Sequence, residues 1–411
     1  RYFLTSAGQP RRFCRPSLSE LFRIGSSKRV LQSQWTEHGV PFYRGREITR
    51  LAEDGFVNNE LFISEELYSE YRSKNGVPKA GAIMVTAIGT IGNSYVVQPT
   101  DRFYFKDASV LWLDRTTDIS SKFIDYWLKS SLFFDQLERG NGATVDTLTI
   151  QKLQGVEVNI PSRAEQERIV AILDEAFEGI ATARANAEQN LQNVHALFES
   201  HLQSVFTQRG DAWAKTTLGQ ATGGVFTGPF GSLLHKSDYV ENGIPLVNPA
   251  HITAIGIEPD FRKTVSEATV QKLSSYVMRK GDIVIGRRGE MGRCALVTDI
   301  EDGWLCGTGS FFIKPSPRCD SGYLVRFLRS DACKQRLEKI AGGAVMPNLS
   351  NTDLSNLSFD LPSPGEQRAI CNAIDEVAAE NQRLESIYQR KLAALDDLKK
   401  SLLQQAFTGQ L

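Results

Sequence analysis

The feature that most constrains this chain is that it is written twice. Residues 160–176 read IPSRAEQERIVAILDEA and residues 361–377 read LPSPGEQRAICNAIDEV. The shift of 201 continues without a gap to HLQSVFTQ at 201–208 and LLQQAFTG at 402–409. Upstream, GATVDTL at 142–148 answers to GAVMPNL at 343–349 at the same shift. At a shift of 200, Gly81-Ala-Ile-Met-Val with Gly89 and Gly92 answers to Gly281-Asp-Ile-Val-Ile with Gly289 and Gly292. Further back, Gly39-Val-Pro-Phe-Tyr resembles Gly243-Ile-Pro-Leu-Val. A fixed period means that one structural plan recurs. Here the plan is a variable block, 1–148 and then 210–349, followed by a helical block, 149–209 and then 350–411.

The helical blocks are the better matched part. Pro161 and Pro362 precede long segments poor in Gly and Pro, a position where proline's missing N–H is harmless. Ser162 and Ser363 are expected N-caps, with Glu165 and Glu366 in the first turn. In the first copy the apolar or small positions run Ile169, Ile172, Ala176, Ile180, Ala183, Ala187, Leu191, Val194, Phe198, Leu202 and Val205. Steps of 3, 4 and 4 give an 11-residue period, close to the 3.6 of an undistorted helix. One narrow stripe on a helix of about 44 residues, roughly 65 Å long, needs a partner of similar length. The second copy offers Ile370, Ile374, Val377, Leu384, Tyr388, Leu392, Leu395, Leu402 and Leu403. The expected arrangement is therefore an antiparallel pair, a stiff spacer between the variable blocks.

The variable blocks read as mixed α/β. Short apolar runs bounded by turn residues predict strands at Ala82–Ala87, Ser94–Val97, Ser109–Leu113, Asp282–Ile285, Cys294–Val297 and Ser310–Ile313. Helices are expected over Ser121–Gln136 and Gly322–Ile340. The fold class is thus α+β: two α/β domains separated by two long helices in an antiparallel coiled coil, with an internal pseudo-twofold repeat.

Net charge is −1 overall, but it is unevenly spread. Residues 1–148 carry 19 Lys/Arg against 17 Asp/Glu and 210–349 carry 17 against 14, whereas 163–209 (4 against 7) and 350–411 (6 against 9) are acidic. Small basic excesses count for nucleic acid only where they gather on one face. The string GDIVIGRRGEMGRCALV at 281–297 has the form of a hairpin whose turn is relieved by Gly286, Gly289 and Gly292 and carries Arg287, Arg288 and Arg293. Arginines on such a loop can meet phosphates or offer a bidentate donor to guanine. A solvated hairpin tip would look the same. The first copy reads TAIGTIGNSYVV, placing Thr86, Thr90 and Asn93 where the second has charge. Arg44 and Arg46 follow a strand-like run, and Asn248 and His251 do so in the second copy; Arg and Asn suit guanine and adenine respectively. Thr308, Ser310 and Thr144 are further candidates, each equally at home as a turn-former.

Catalytic signatures are missing. There is no Gly-x-x-x-x-Gly-Lys-Ser/Thr loop, and Asn248-Pro249-Ala250-His251 is not the Asn/Asp-Pro-Pro-aromatic box of an adenine methyltransferase. Glu258-Pro259-Asp260 lacks a Glu-x-Lys partner for a nuclease centre. The five histidines and six cysteines show no zinc spacing, so no metal site is expected and the thiols read as reduced, as in a cytoplasmic protein. No run of 18 apolar residues is present, and the N-terminal stretch lacks a secretory apolar core, so no membrane role is expected.

With LPSPGEQRAICNAID and its twin IPSRAEQERIVAILD, the closing LLQQAFTGQL, and the GDIVIGRRGEMGR and GTGSFFIKP strings, the whole chain resembles the specificity subunits of Type I restriction–modification systems. The resemblance implies two target-recognition domains, each reading one half of a split double-stranded DNA site. It implies helices that set the spacing and dock two methyltransferase subunits, with restriction/translocase subunits joining them. S-adenosylmethionine would sit in the methyltransferase, ATP and Mg in the restriction subunit, and no cofactor or catalytic site in this chain. Three other readings stay open: a specificity subunit for a Type II or other phage-defence methyltransferase, a fused enzyme, and a coiled-coil scaffold that never touches DNA. The near-neutral charge predicts weak DNA affinity for the isolated chain.

Overall fold

A computed structural model describes residues 15–138, 147–207, 213–230, 233–342 and 348–411. It divides into two compact units, Arg1–Glu188 with Gln389–Leu411, and Gln189–Tyr388. The divisions fall inside the two long helices, so each unit holds one α/β domain and a length of both helices.

In the first unit a four-stranded antiparallel sheet runs in the order Phe22–Gly25, Val110–Arg115, Ile83–Thr86, Ser94–Val96. Its inner strands are apolar at almost every position because both faces are covered. Alternate side chains on a strand point to opposite sides. Ile83, Val85, Leu111 and Leu113 therefore pack with Phe123, Ile169 and Phe407, while Met84, Val110 and Trp112 pack with Ile48, Leu51 and Phe105. A second, smaller sheet joins Trp35–Thr36, Phe62–Ile63, Val40–Tyr43 and Tyr104–Phe105, the last pair being parallel.

The second unit repeats this plan. Val225–Thr227, Ser310–Ile313, Ile283–Gly286 and Cys294–Leu296 form the main sheet. Tyr239–Val240, Thr264–Val265, Ile244–Val247 and Leu305–Cys306 form the smaller one. The registers agree as well: Ile83 faces Leu113 as Ile283 faces Ile313, and Thr86 faces Val110 as Gly286 faces Ser310. The glycines at 81, 89 and 92 have φ of 84°, 79° and 87°, and those at 281, 289 and 292 have 88°, 83° and 77°. This left-handed backbone is open to Gly at no steric cost, which explains why these glycines recur in both copies.

Two expected helices are broken. Ser121–Gln136 is Ser121–Leu128 followed by Ser131–Glu138, and Gly322–Ile340 is Ser321–Arg329 followed by Asp331–Ala341. Ser330 sits at the break in extended geometry, and its hydroxyl accepts from the Cys333 N–H at 3.3 Å as an N-cap. Ser130 turns its hydroxyl back to the Trp127 carbonyl at 2.6 Å. An apolar stripe continues across such a break, so periodicity alone does not reveal it.

The long helices are Arg163–Thr207 and Pro364–Thr408, 45 residues each. Every stripe position named above is buried or half-buried. Their antiparallel course is fixed within the first unit, where Arg168 donates to the Leu411 carbonyl and Arg184 pairs with Asp396 at 2.6 Å. In the second unit His195 lies 3.0 Å from Glu385.

Candidate nucleic-acid interface

In the second unit four loops converge beyond one end of the main sheet. Gly307 N–H donates to the Val247 carbonyl at 2.9 Å and Arg287 N–H donates to the Gly309 carbonyl at 3.0 Å. These bonds join the 307–309 loop to the strand before Asn248 and to the hairpin turn. The approach is close: a Cβ on Gly307 would lie 2.3 Å from the Asn248 side-chain oxygen. Leu349 N–H donates to the Arg287 carbonyl at 3.0 Å, bringing in the segment that begins at Asn348.

The hairpin holds Arg287, Arg288 and Arg293 as the sequence predicts, but in different circumstances. Arg293 is tied down, pairing with Glu290 at 2.9 Å and reaching the Pro249 carbonyl at 3.4 Å. Arg287 is half-buried, with its guanidinium 5.5 Å from the ring centre of Phe311. Arg288 is exposed. Of the turn glycines only Gly289 and Gly292 have positive φ; Gly286 instead ends a strand, where a Cβ would crowd Pro249 at 3.2 Å. Asn248 and His251 open and close a short 3-10 turn, and His251 Nδ1 lies 2.9 Å from the Leu246 carbonyl. Thr308 is exposed at the loop tip. Ser310 is wholly buried and donates to the Val247 carbonyl at 3.0 Å, so its hydroxyl serves the fold and faces no ligand.

The matching loops of the first unit carry a different surface. Thr86 is buried, and its hydroxyl donates to the Thr90 carbonyl and accepts from the Asn93 N–H inside the turn. The register also corrects the correspondence between the copies. Thr86 stands at the place of Gly286, and it is Ala87 and Ile88 that stand where the second copy has Arg287 and Arg288. Ala87 donates to the Ser109 carbonyl as Arg287 does to that of Gly309, and Ile88 bridges Thr147 as Arg288 bridges Asn348. Thr90 is exposed, and Asn93 donates to the Thr49 hydroxyl at 3.1 Å. Thr144 lies outside the described residues.

Arg44 and Arg46 converge on one carboxylate. Arg44 caps the helix Gly45–Asp54 and reaches Glu47 at 2.8 Å, and Arg46 pairs with both Glu47 and Glu60. Burial pushes the Glu47 carboxyl up, but hydrogen bonds from the two arginines outweigh burial and hold it below its ordinary value. The charge of Arg44 and Arg46 is thereby compensated inside the protein.

Sequence reasoning missed the glutamine that follows Glu in both helical motifs. Gln367 is fully buried; its oxygen accepts from the Asp320 N–H at 2.7 Å, and its amide donates to the carbonyls of Pro362 and Arg318, both at 2.8 Å. Gln166 does the same for the first unit, accepting from the Ser120 N–H at 2.9 Å and donating to the Pro161 carbonyl at 3.0 Å. Each glutamine fastens the start of a long helix to the domain before it. The available signal was its identity in both copies. Asn348 was missed as well; it stands where the first copy has Thr147, and among the described residues it and Leu349 meet the hairpin.

The five described cysteines are buried and unpaired, and burial pushes the Cys294 thiol up to about 12. Among the described residues, no group of three or more His, Cys, Asp or Glu could hold a metal ion, and no helix is long and apolar enough to cross a membrane.

The sequence profile of the Type I restriction modification DNA specificity domain matches residues 16–192 and 231–389. The chain belongs to this family. Each of its two specificity domains comprises one α/β domain and much of the long helix that follows. A putative type I restriction enzyme specificity subunit of Haemophilus influenzae is 31% identical over 168 residues, 40% of each chain. The MjaVIII specificity subunit of Methanocaldococcus jannaschii is 22% identical over 276 residues, 63% of each. The EcoBI specificity subunit of Escherichia coli is 21% identical over 293 residues, 66% of this chain and 62% of that one. The matched stretches thus span less than two thirds of these relatives. In fold, the chain resembles the HsdS subunit from Thermoanaerobacter tengcongensis, with a TM-score of 0.66 at 18% identity over 100% of this chain and 99% of that one. A chain solved in a study of complex assembly and conformational transition of the type I R-M system gives 0.73 at 17% identity, with both chains fully covered.

Proposed function

We propose that this specificity-domain protein is the DNA-recognition subunit of a type I restriction–modification enzyme and performs no chemistry itself. The observation that carries the proposal is the double family match, one specificity domain on each α/β domain. Each recognition domain reads one half of a bipartite duplex target through the loops beyond the end of its main sheet. In the second domain these are the loops of Asn248, His251, Arg287, Arg288, Arg293 and Thr308; in the first, they are the helix start at Arg44 and Arg46 and the hairpin of Thr90 and Asn93, with Thr144, outside the described residues, a further candidate. The paired helices set the gap between half-sites and dock two methyltransferase subunits, and restriction/translocase subunits join them. S-adenosylmethionine belongs to the methyltransferase, and ATP and Mg to the restriction subunit. The complex acts in the cytoplasm.

Specificity on this plan separates into two terms. Arginines and lysines near the backbone hold the duplex in register, and side chains reaching base edges choose the sequence. Half-sites on one face of the duplex are separated by roughly one helical turn, 34–36 Å. Methylation mapping of DNA from cells with and without this gene, the partner methyltransferase being present, tests the proposal. Loss of one split methyladenine motif on deletion is the expected result. Survival of every methylated motif refutes it.

A further inference from the structure

We propose that the second recognition domain reads a guanine with the fork of Arg288, that Arg287 lies beside it on the same anchor, and that Asn348 is the positioning residue aiming both guanidinium groups. The inference rests on the specificity-subunit reading and adds a base to it. The side-chain oxygen of Asn348 accepts from Nε of Arg287 at 3.2 Å and from Nε of Arg288 at 3.4 Å. A guanidinium has five N–H donors. Anchoring Nε leaves the paired terminal nitrogens free, and their fork matches O6 and N7 of guanine in the major groove.

Three further observations point the same way. First, no carboxylate among the described residues pairs with Arg287 or Arg288, whereas Arg44, Arg46 and Arg293 are each held by a glutamate. Second, Arg287 lies over the ring of Phe311, which is fully buried and so gives the guanidinium plane a fixed floor. Third, the backbone beneath the pair is pinned by Arg287 N–H to Gly309 O, by Leu349 N–H to Arg287 O, and by the bridge of Arg288 with Asn348. Side chains already held in place lose little rotamer freedom on binding, which favours an orientation-dependent base contact over a diffuse phosphate contact. The first domain has Ala87 and Ile88 here, opposite Thr147. Ala87 and Ile88 offer no such fork, so this hairpin arginine pair serves one half-site only.

The test uses the complex with its methyltransferase subunits and a randomised duplex library. Wild type is expected to enrich a split target with a guanine in the half-site of the second domain. Replacing that guanine by 7-deazaguanine, which lacks the N7 acceptor, should weaken binding about 5- to 150-fold. Arg288→Ala and Asn348→Ala should erase the preference at that base, while preference in the other half-site and the melting temperature stay unchanged. Equal weakening on all sequences assigns the arginines to phosphate and overturns the proposal. So does a lowered melting temperature as the sole effect of Asn348→Ala, or a target half without guanine. Enrichment of no split target by wild type overturns the specificity-subunit reading along with it.

Discussion

Replacing Gln367 by Ala removes the fastening between the second α/β domain and its long helix. Gln367 is completely buried and makes three hydrogen bonds, one from the Asp320 N–H and two to the carbonyls of Pro362 and Arg318. Truncation leaves one donor and two acceptors without their partner in a water-poor place. At about 1 kcal/mol for each lost bond the cost is about 3 kcal/mol. For a unit the size of Gln189–Tyr388 this lowers the melting midpoint by roughly 6–12 °C. The corresponding Gln166→Ala loses two bonds, so its cost is about 2 kcal/mol. Native-state hydrogen exchange reads the two units separately. The Asp320 amide should lose protection in Gln367→Ala while the Ser120 amide keeps it, and the reverse should hold in Gln166→Ala. If Gln367→Ala melts within about 1 kcal/mol of wild type, or if Gln166→Ala is the more damaging, the fastening role is wrong.

Other perturbations have equally direct readouts. Phe407→Ala removes a ring packed edge-on against Phe123 at 5.2 Å in the first core, and should cost about 3–5 kcal/mol in urea unfolding. A loss under about 1 kcal/mol would mean that the end of the second helix does not belong to that core. Gly292→Ala should be poorly tolerated, since φ is 77° and a Cβ would lie 2.6 Å from the Leu328 carbonyl oxygen. Gly289→Ala, with φ of 83° but open space, should cost only about 1–2 kcal/mol; equal melting shifts for the two would refute the steric argument. For Glu47→Gln the sign follows from a carboxyl held below its ordinary value. Its stabilisation is complete above the unfolded-state value and lost as pH falls through the folded-state one. The melting gap between wild type and Glu47→Gln should therefore be widest near neutral pH and close in acid. A gap that is constant across that range contradicts the paired-arginine account.

The two halves of the repeat match unevenly, closely in the long helices and loosely in the loops. The long helices keep one apolar stripe against a partner helix, and a change at any stripe position is felt on both. Loops need only keep the glycines and backbone bonds that hold their frame. On that frame Ala87-Ile88 and Arg287-Arg288 occupy the same place with opposite chemistry. A common scaffold with exchangeable side chains gives the two domains different loop surfaces on one backbone frame.

The sequence by itself determined the two-copy plan, the long helices, six strands of the two main sheets and the glycine-hinged hairpins. These features are local or periodic: an 11-residue stripe, alternating burial, and glycines at fixed offsets survive in the string of letters. What it could not fix was which polar groups find each other. Ser130 and Ser330 break helices whose apolar pattern runs on, because capping depends on one residue's geometry. Arg44, Arg46 and Arg293 read as free cations until folding brings Glu47, Glu60 and Glu290 against them. Thr86 and Ser310 read as surface hydroxyls until the backbone closes around them. Gln367 and Asn348 read as ordinary polar residues, although one fastens a helix and the other gathers two arginines from about 60 positions away. Hydrogen bonds and ion pairs act over a few ångströms in space, so tertiary structure alone decided them.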